Sequence, residues 1–219
     1  MQPTPRGVPS QGYPTSARQP YSVPMRSTQG LAIALYVLVG VQVSCDLIGT
    51  ATPPNIVVTS TSVNVTWGGI AAIGILAGVA AGIVALVWIY RTMCNVHAKG
   101  VATKYSPGWA VGCWFIPLAN LILPYFPMRE AWAKSRCGPT GLLAGWWAAW
   151  VVHAGALLGL VLWGVSAGWS LRSSVPPGHS MDAPLPGDFQ AVGVAVLHVA
   201  AGALFAAVVA RLTRSQATR

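Results

Sequence analysis

The stretch from Pro107 to Pro127, PGWAVGCWFIPLANLILPYFP, decides the fold, because it has the length of a membrane span and the composition of a broken helix. Pro117 falls in its middle, where a proline removes a backbone hydrogen bond and its ring clashes with the preceding turn. Asn120 and Pro124 follow shortly afterwards. Two interpretations are therefore open: a kinked crossing of the membrane, or a re-entrant or interfacial element that returns to the side it came from.

On either side of this stretch lie apolar segments that are long enough to cross a bilayer. At 1.5 Å per residue, a helix of about 20 residues covers the roughly 30 Å hydrocarbon core. A hydrophobic content of 54% with only 8% charged residues is also wrong for a soluble domain of this size. The predicted spans are residues 31–50, 67–90, 142–171 and 189–210.

The distribution of Lys and Arg decides between the two interpretations, because cytoplasmic loops carry an excess of these residues. If residues 107–127 do not cross and the amino terminus is inside, twelve of the 13 Lys and Arg are cytoplasmic and only Arg172 is outside. If the stretch crosses, the split becomes seven to six. We therefore predict an all-α, polytopic membrane helix bundle with four transmembrane helices plus a Pro-broken re-entrant or interfacial element. Both termini are expected in the cytoplasm.

The ends of the chain and the outer loops complete the predicted organisation. Residues 1–30 are rich in Pro, Gln and Ser, which predicts a disordered cytoplasmic tail before an integral membrane domain at 31–212 and a basic tail at 213–219. Residues 51–66 alternate Val with Thr, Ser and Asn, which predicts a short hairpin or a strand-like cap. Residues 172–188 read as a loop punctuated by Pro and Gly.

A dense set of residues around the broken stretch carries a family pattern. The positions singled out from it as possible functional residues are Arg91, Asn95, Ser106, Pro107, Gly108, Trp109, Pro117, Asn120, Pro124, Tyr125 and Glu130. In these positions the chain resembles the family of bacterial membrane proteins called domain of unknown function 4328. Cys113, where a second Trp is common, and Leu123, where a polar or basic residue is common, depart from the pattern. The resemblance implies a bacterial cytoplasmic (inner) membrane protein and brings no assigned activity.

Physically, the broken stretch reads as an element held by defined turns. Ser106 is placed to cap a helix whose first residue is Pro107, where the missing N–H costs nothing. Asn120 is placed to satisfy backbone groups that Pro117 frees, as irregular backbone at membrane depth requires. A structural plug between helices, a ligand-binding or gating element, and a lipid-headgroup or partner surface all remain open.

The sequence carries no constellation for catalysis. Glu130, the only glutamate, is expected to form a local ion pair with Arg91 or Lys134. Acid–base or nucleophilic catalysis needs paired acids or a nucleophile beside a base, and neither pattern is present. We therefore expect no enzyme activity, no cofactor and no metal site.

Three ionisable residues inside the predicted spans are functional candidates by default, because charge in a bilayer is costly. Asp46 lies near the outer end of its helix, which favours an interfacial or hydrogen-bonded structural role. His153 and His198 lie about a third of the way into their spans from opposite membrane faces, an offset that argues against a joint site. Hydrogen bonding across helices is the favoured role of the two histidines.

Glycines at four-residue spacing predict close helix packing. Gly74, Gly78 and Gly82 repeat in the second span, and Gly155 and Gly159 repeat in the third. Such faces let helices approach closely, within the bundle or in a dimer. Packing within the bundle is favoured because four helices already supply neighbours, and the oligomeric state stays open.

The net charge of +9 is explained by cytoplasmic loops that face anionic lipid, so nucleic acid is not an expected partner. The first function hypothesis is a structural or interaction protein that binds a partner through its tail or its cytoplasmic motif. The alternative is a small-solute or ion transporter or channel in which the broken helix lines the pathway.

Overall fold

Four long helices dominate the computed structural model, which describes residues 25–51, 55–66, 68–182 and 188–217. They are α1 (Gln29–Ala51), α2 (Gly69–Ala98), α5 (Gly141–Ser174) and α6 (Asp188–Ala217). Each contains a stretch that is long and apolar enough to cross a membrane, which confirms the all-α bundle with four candidate spans. The greater part of the predicted disordered tail, residues 1–24, lies outside the described residues.

Helix α1 packs on both α2 and α6, and α6 also packs on α5. In the described part of the chain, α2 and α5 are not packed together along their length. Glycines allow a close approach of α1 and α2. A Cβ atom on Gly74 would lie 3.1 Å from the Cβ of Cys45, and one on Gly78 would lie 2.8 Å from the Gln42 amide. These two glycines therefore pack within the bundle, as predicted.

The other predicted glycine face behaves differently. A Cβ atom on Gly155 or Gly159 would meet nothing within 4 Å, so these residues form no close helix contact among the described residues. The sequence missed Gly202, where a Cβ atom would lie 3.0 Å from Val39. The close approach of α6 to α1 therefore depends on a glycine outside any four-residue repeat.

One end of the bundle, here called the hairpin end, carries a small antiparallel sheet. Strand β1 (Asn55–Thr59) pairs with β2 (Val63–Thr66), which confirms the predicted hairpin. Strand β3 (Ser180–Asp182), from the loop between α5 and α6, pairs with the other edge of β1. Arg172 adds a hydrogen bond to the carbonyl oxygen of Thr61 at 3.1 Å. The two outer loops therefore form one cap, a pairing that was not predicted.

The opposite end, the motif end, carries the broken stretch. Helix α3 (Pro107–Gly112) leads into a 3₁₀ turn (Cys113–Phe115), a second 3₁₀ turn (Ala119–Leu121) and helix α4 (Tyr125–Lys134). Between the two turns, Leu118 has φ of 62° and ψ of −42°, and the Ala119 N–H donates to the Pro117 carbonyl at 2.7 Å. This is a γ-turn with positive φ, a rare and strained conformation. The stretch is therefore broken as predicted.

The broken stretch enters and leaves at the same end of the bundle. Ahead of it, Asn95 at the end of α2 donates to the Gln216 side chain at the end of α6. After it, the Ser135 hydroxyl lies 3.4 Å from the Gln216 amide nitrogen, and the Cys137 thiol lies 3.2 Å from the Ser215 hydroxyl. The chain thus returns to the level it left, which favours the four-span interpretation over five.

Helix α6 runs on to Ala217, so residues 213–217, interpreted from the sequence as part of a basic tail, are helical and packed. Thr213 and Gln216 are both buried there. The indole N–H of Trp88 donates to the Thr213 hydroxyl at 3.2 Å. Buried polar groups need such partners, so this helical extension belongs to the polar core of the motif end.

Candidate functional site

The three ionisable residues of the spans meet at one place, here called the polar cluster. The Nδ1 atom of His198 on α6 lies 2.8 Å from the Oδ2 atom of Asp46 on α1. The ring of His153 on α5 lies 4.7 Å from the ring of His198, centroid to centroid. The predicted offset of the two histidines, which weakened the case for a joint site, is therefore wrong.

The error arose from comparing fractional depths in helices of unequal length. Helices α5 and α6 are antiparallel neighbours, and Trp146 stacks on Phe205 with ring centroids 5.1 Å apart. Seven residues further along α5 and seven residues back along α6 bring His153 level with His198. Counting both residues from the motif end would have revealed the pairing in the sequence.

The polar cluster lies within the apolar length of the bundle. At 1.5 Å per residue, His153 is about 18 Å beyond Gly141 and His198 is about 15 Å beyond Asp188. Neither residue of the ion pair is fully buried by protein, since 22% of the His198 side chain and 33% of the Asp46 side chain are exposed. The helices therefore enclose the ion pair only in part.

The two histidines form one part of the wall of a cavity of about 420 Å³, a volume typical of small-molecule sites. The cavity lies between the four long helices, where α2 and α5 do not pack together, and the first 3₁₀ turn of the motif also lines it. Its walls are aliphatic and aromatic apart from the two imidazoles. The lining residues are Val39, Ala81, Gly82, Ala85, Leu86, Ile89, Trp114, Phe115, Trp146, Trp150, His153, His198, Ala201, Gly202 and Phe205.

The aromatic part of the wall links the motif to α5. The Trp114 ring packs edge-on against Trp147 and Trp150, with centroids 5.8 and 5.6 Å apart. Trp147 in turn stacks on Trp150 at 5.1 Å. Trp114 thus packs on α5, and it also lines the cavity. Sequence reasoning did not single out Trp114 or Trp150, although both are tryptophans at positions far from any charged residue.

The contact between the His198 imidazole and the Asp46 carboxylate is close but is not a hydrogen bond. Nδ1 of His198 lies 2.8 Å from Oδ2 of Asp46, but this oxygen has no hydrogen-bond partner among the described residues. No group of three or more His, Cys, Asp or Glu in the described residues has an arrangement that would hold a metal ion. The polar cluster is therefore an acid–base pair with a neighbouring imidazole.

Two predicted motif residues, Arg91 and Asn95, clamp the segment before α1. The Asn95 side chain accepts from the Arg26 N–H at 2.8 Å and donates to the Arg26 carbonyl at 2.9 Å. The Arg91 guanidinium donates to the Ser27 carbonyl at 3.3 Å. Asn95 is buried, and its pairing resembles one rung of a β-ladder. These residues position the amino-terminal end of α1 and do not line the cavity.

Glu130 does not form the predicted ion pair with Arg91 or Lys134. Its carboxylate accepts from the backbone N–H groups of Lys104 at 2.7 Å and Tyr105 at 3.1 Å. These N–H groups belong to the loop that leads into α3, where no helical partner is available. The sequence suggested nearby cations, whereas the structure pairs the carboxylate with backbone donors about 25 residues away.

The remaining motif residues shape α3 and α4. The Ser106 hydroxyl accepts from the Trp109 N–H at 3.1 Å, with Pro107 and Gly108 in the first turn, which confirms the predicted cap. Pro124 precedes α4, and the Tyr125 ring lies 6.0 Å from that of Trp147.

The sequence also assigned Asn120 the task of satisfying backbone groups freed by Pro117. In the structure, the backbone N–H of Asn120 donates to the Ile116 carbonyl at 2.9 Å, and the γ-turn uses the Pro117 carbonyl. Backbone turns therefore carry out much of the role that was predicted for the Asn120 side chain. Nearby, burial raises the pKa of the Cys113 thiol, which favours its protonated form.

The comparisons with known proteins identify a family. The family model described as Domain of unknown function (DUF4328) matches residues 50–214, which cover α2, the broken stretch, α5 and nearly all of α6. His153 and His198 lie inside the match, whereas Asp46 lies outside it. Neither the curated proteins nor the solved structures gave a match. Because the match covers well over half of its length, the chain belongs to the DUF4328 family.

Proposed function

We propose that this multi-pass membrane protein binds a small, largely apolar solute inside the bilayer, as a solute-binding or transport protein. The observation that carries the proposal is the position of His153 and His198, side by side on the wall of a cavity of about 420 Å³. The sequence ranked a structural or partner-binding role first. The cavity and the polar cluster, which the sequence did not bring together, favour the transport alternative.

The cost of the polar cluster supports a binding role. Placing an ionisable group at the centre of a bilayer costs a few kcal/mol on insertion scales, and such groups mark solute or proton pathways. Close packing of α6 on α1 is already supplied by Gly202. The ion pair between Asp46 and His198 therefore adds cost without being needed to join these two helices.

For the location, we propose the bacterial cytoplasmic membrane with the motif end and both termini in the cytoplasm. The support is the split of Lys and Arg, with Arg172 alone at the hairpin end. A membrane-impermeant thiol reagent should then label Cys94, and a cysteine placed at the exposed position 136 (Arg136→Cys), from the cytoplasmic side only. Labelling of the two from opposite sides would contradict this orientation.

A neutral, photoactivatable aryl diazirine tests the solute-binding proposal in membranes that hold the full chain. Labelling of cavity residues such as Trp150 and Ala201 should saturate and should be blocked by an excess of the non-reactive aryl analogue. Labelling of lipid-facing Leu158, which is 59% exposed, should not saturate. Equal, unsaturable labelling of both groups would mean that the cavity is filled by lipid and binds no solute.

Matched glycine variants sharpen this test. A Cβ atom on Gly82, which lines the cavity, meets nothing within 4 Å, so Gly82→Leu fills space without a backbone clash. A Cβ atom on Gly159, which does not line the cavity, is equally unobstructed, so Gly159→Leu is the control. Saturable labelling should fall at least about tenfold in the first variant and stay unchanged in the second.

A second candidate, partner binding at the motif end, is supported by one surface. The loop around the γ-turn exposes Phe115 (70%), Leu118 (81%) and Ile122 (62%), more apolar surface than turns in water normally present. A photo-crosslinking residue at position 118, used in intact cells, should give one protein product of defined mass if this candidate is right. Products with lipid alone would assign the loop to the membrane interface.

A further inference from the structure

We infer that the cavity binds neutral aromatic compounds that carry a hydroxyl group, with the ring among the tryptophans and the hydroxyl group on the imidazoles of His153 and His198. The inference rests on the proposed function, because it names the class of solute that the same cavity would bind. It is carried by the open side of the cavity, its uncharged wall, its aromatic rings and the position of its two imidazoles.

The cavity is partly open on the side where α2 and α5 face each other. In the described part of the chain these two helices are not packed together along their length, so they do not close the wall between them. Gly82 of α2 is exposed, and Phe115 of the motif is 70% exposed, although both line the cavity. A solute that enters here has first dissolved in the hydrocarbon core, where charged groups are strongly disfavoured. The entry route therefore selects uncharged compounds.

The wall of the cavity gives the same preference. The described residues that line it include no Asp, Glu, Lys or Arg, and the polar side chains among them are the two imidazoles. A carboxylate, a phosphate or an ammonium group would therefore lose its water without gaining a fixed counter-charge on the wall. A neutral solute carries no such cost.

The aromatic rings of the wall favour a planar aromatic solute. Trp146 stacks on Phe205 with ring centroids 5.1 Å apart, and Trp114 packs edge-on against Trp150 at 5.6 Å. In both arrangements aromatic rings attract each other beyond the burial of their surface. A bound aromatic ring can extend these pairs, whereas a saturated ring of the same size gains from burial alone. A cavity of about 420 Å³ lies near the lower end of the range for small-molecule sites, which suits one or two fused rings.

The two imidazoles add a hydrogen-bonding point to this wall. In His153 the Nδ1 atom is buried, and in His198 the Nδ1 atom lies 2.8 Å from Oδ2 of Asp46. The Nε2 atom is therefore the nitrogen that each ring has left for a solute. The ring centroids are 4.7 Å apart, so one small polar group can lie within reach of both rings.

A hydroxyl group suits this position better than other neutral polar groups. A neutral imidazole donates from one nitrogen and accepts at the other, and a hydroxyl group both donates and accepts. It can therefore bond to Nε2 in either tautomer, whereas a carbonyl or ether oxygen can only accept. A hydrocarbon would leave polar ring nitrogens without partners inside the bilayer, which is costly. The class of solute that satisfies the whole cavity is thus a phenol or a naphthol.

Three probes of nearly the same shape test the inference with the full-length protein in nanodiscs. Naphthol carries the ring and the hydroxyl group, methylnaphthalene has a methyl group in place of the hydroxyl group, and decalol has the hydroxyl group on a saturated ring. Partition of each probe into empty nanodiscs is measured, so that affinities refer to the probe dissolved in the bilayer. At neutral pH, where an aromatic hydroxyl group stays protonated, the wild type should bind naphthol about fivefold more tightly than either analogue.

Phenylalanine variants remove the ring nitrogens and keep a ring. His153→Phe and His198→Phe should each lower naphthol affinity by about threefold or more, and neither should lower methylnaphthalene affinity. His179→Phe, which removes an exposed imidazole at the hairpin end, is the control and should change neither affinity. If the two variants do not fold, the comparison of the three probes on the wild type decides alone.

The outcomes separate this inference from the proposed function. Equal affinity for naphthol and methylnaphthalene, or for naphthol and decalol, would overturn the inference. A preference for the hydroxyl group that both phenylalanine variants retain would overturn it as well. In each of these cases, saturable diazirine labelling that Gly82→Leu removes would still support the cavity as a solute site. Absence of saturable labelling in the wild type would overturn both.

Discussion

Replacing Asn95 by Ala should destabilise the protein more than any other single change in the polar network of the motif end. Asn95 is 3% exposed and its side chain makes three hydrogen bonds, to the N–H and the carbonyl of Arg26 and to the side-chain oxygen of Gln216. A buried hydrogen-bond partner left without its bond costs about 1–3 kcal/mol. Arg26 is exposed, so water can replace the hydrogen bonds that its backbone loses. We therefore expect the free energy of unfolding to fall by about 2–4 kcal/mol in total.

The isosteric variant Asn95→Asp distinguishes hydrogen bonding from packing. Its carboxylate can still accept from the Arg26 N–H. It cannot donate to the Arg26 carbonyl or to the Gln216 oxygen, and it repels both of these partly negative oxygens. It should therefore be at least as unstable as Asn95→Ala at neutral pH, although its size is unchanged. Asn120→Ala, in a half-buried motif position, is the control and should change stability by less than about 1 kcal/mol.

Thermal and denaturant unfolding in detergent micelles measures these effects, and Trp88 and Trp132, both 0% exposed, report loss of the buried environment through their fluorescence. Proteolysis of residues 25–28 should accelerate in parallel, because Asn95 holds this segment. An unfolding temperature of Asn95→Asp equal to that of the wild type would refute the reasoning. So would stability loss without faster cleavage before α1.

Three further predictions follow from single residues. Leu118→Gly should raise stability by up to about 2 kcal/mol in the same unfolding assay, because glycine adopts positive φ without strain; equal or lower stability would show that the γ-turn is unstrained. Glu130→Gln should loosen the loop at Lys104 and Tyr105, seen as faster hydrogen exchange of those two amides, with the neighbouring Arg129→Gln as the control. Cys113, which is buried, should react with maleimide more slowly than the half-buried Cys94, and its rate should rise as the pH is raised, because burial raises the pKa of the Cys113 thiol; equal rates at pH 7 would contradict this.

The sequence predicted the parts of the fold that depend on local composition and on charge. Span lengths follow from apolar runs, and the Ser106 cap follows from a serine before a proline. The return of the broken stretch follows from Pro117 together with the distribution of Lys and Arg. Each of these features is decided by neighbours within a few residues or by a rule about whole loops, so no knowledge of packing was required.

The features that the sequence missed all depend on which distant residues lie at the same level. Strand β3 pairs with β1 more than 120 residues away, and Glu130 reaches backbone groups of a different loop. The pairing of His153 with His198 depends on the axial register of α5 and α6. In the sequence, the two depths were measured from opposite membrane faces, and this concealed the register. Register becomes predictable only when both helices are counted from the end at which they meet.

The most direct test of the central claim asks whether α5 and α6 bring His153 and His198 together inside the membrane. In a background without native cysteines, the pair His153→Cys and His198→Cys should be joined by a short bis-methanethiosulfonate reagent in intact membranes. The pair Val152→Cys and Val196→Cys uses neighbouring positions with exposed side chains, 54% and 60%, and should not be joined. Cross-linking of the valine pair, with none between positions 153 and 198, would contradict the account.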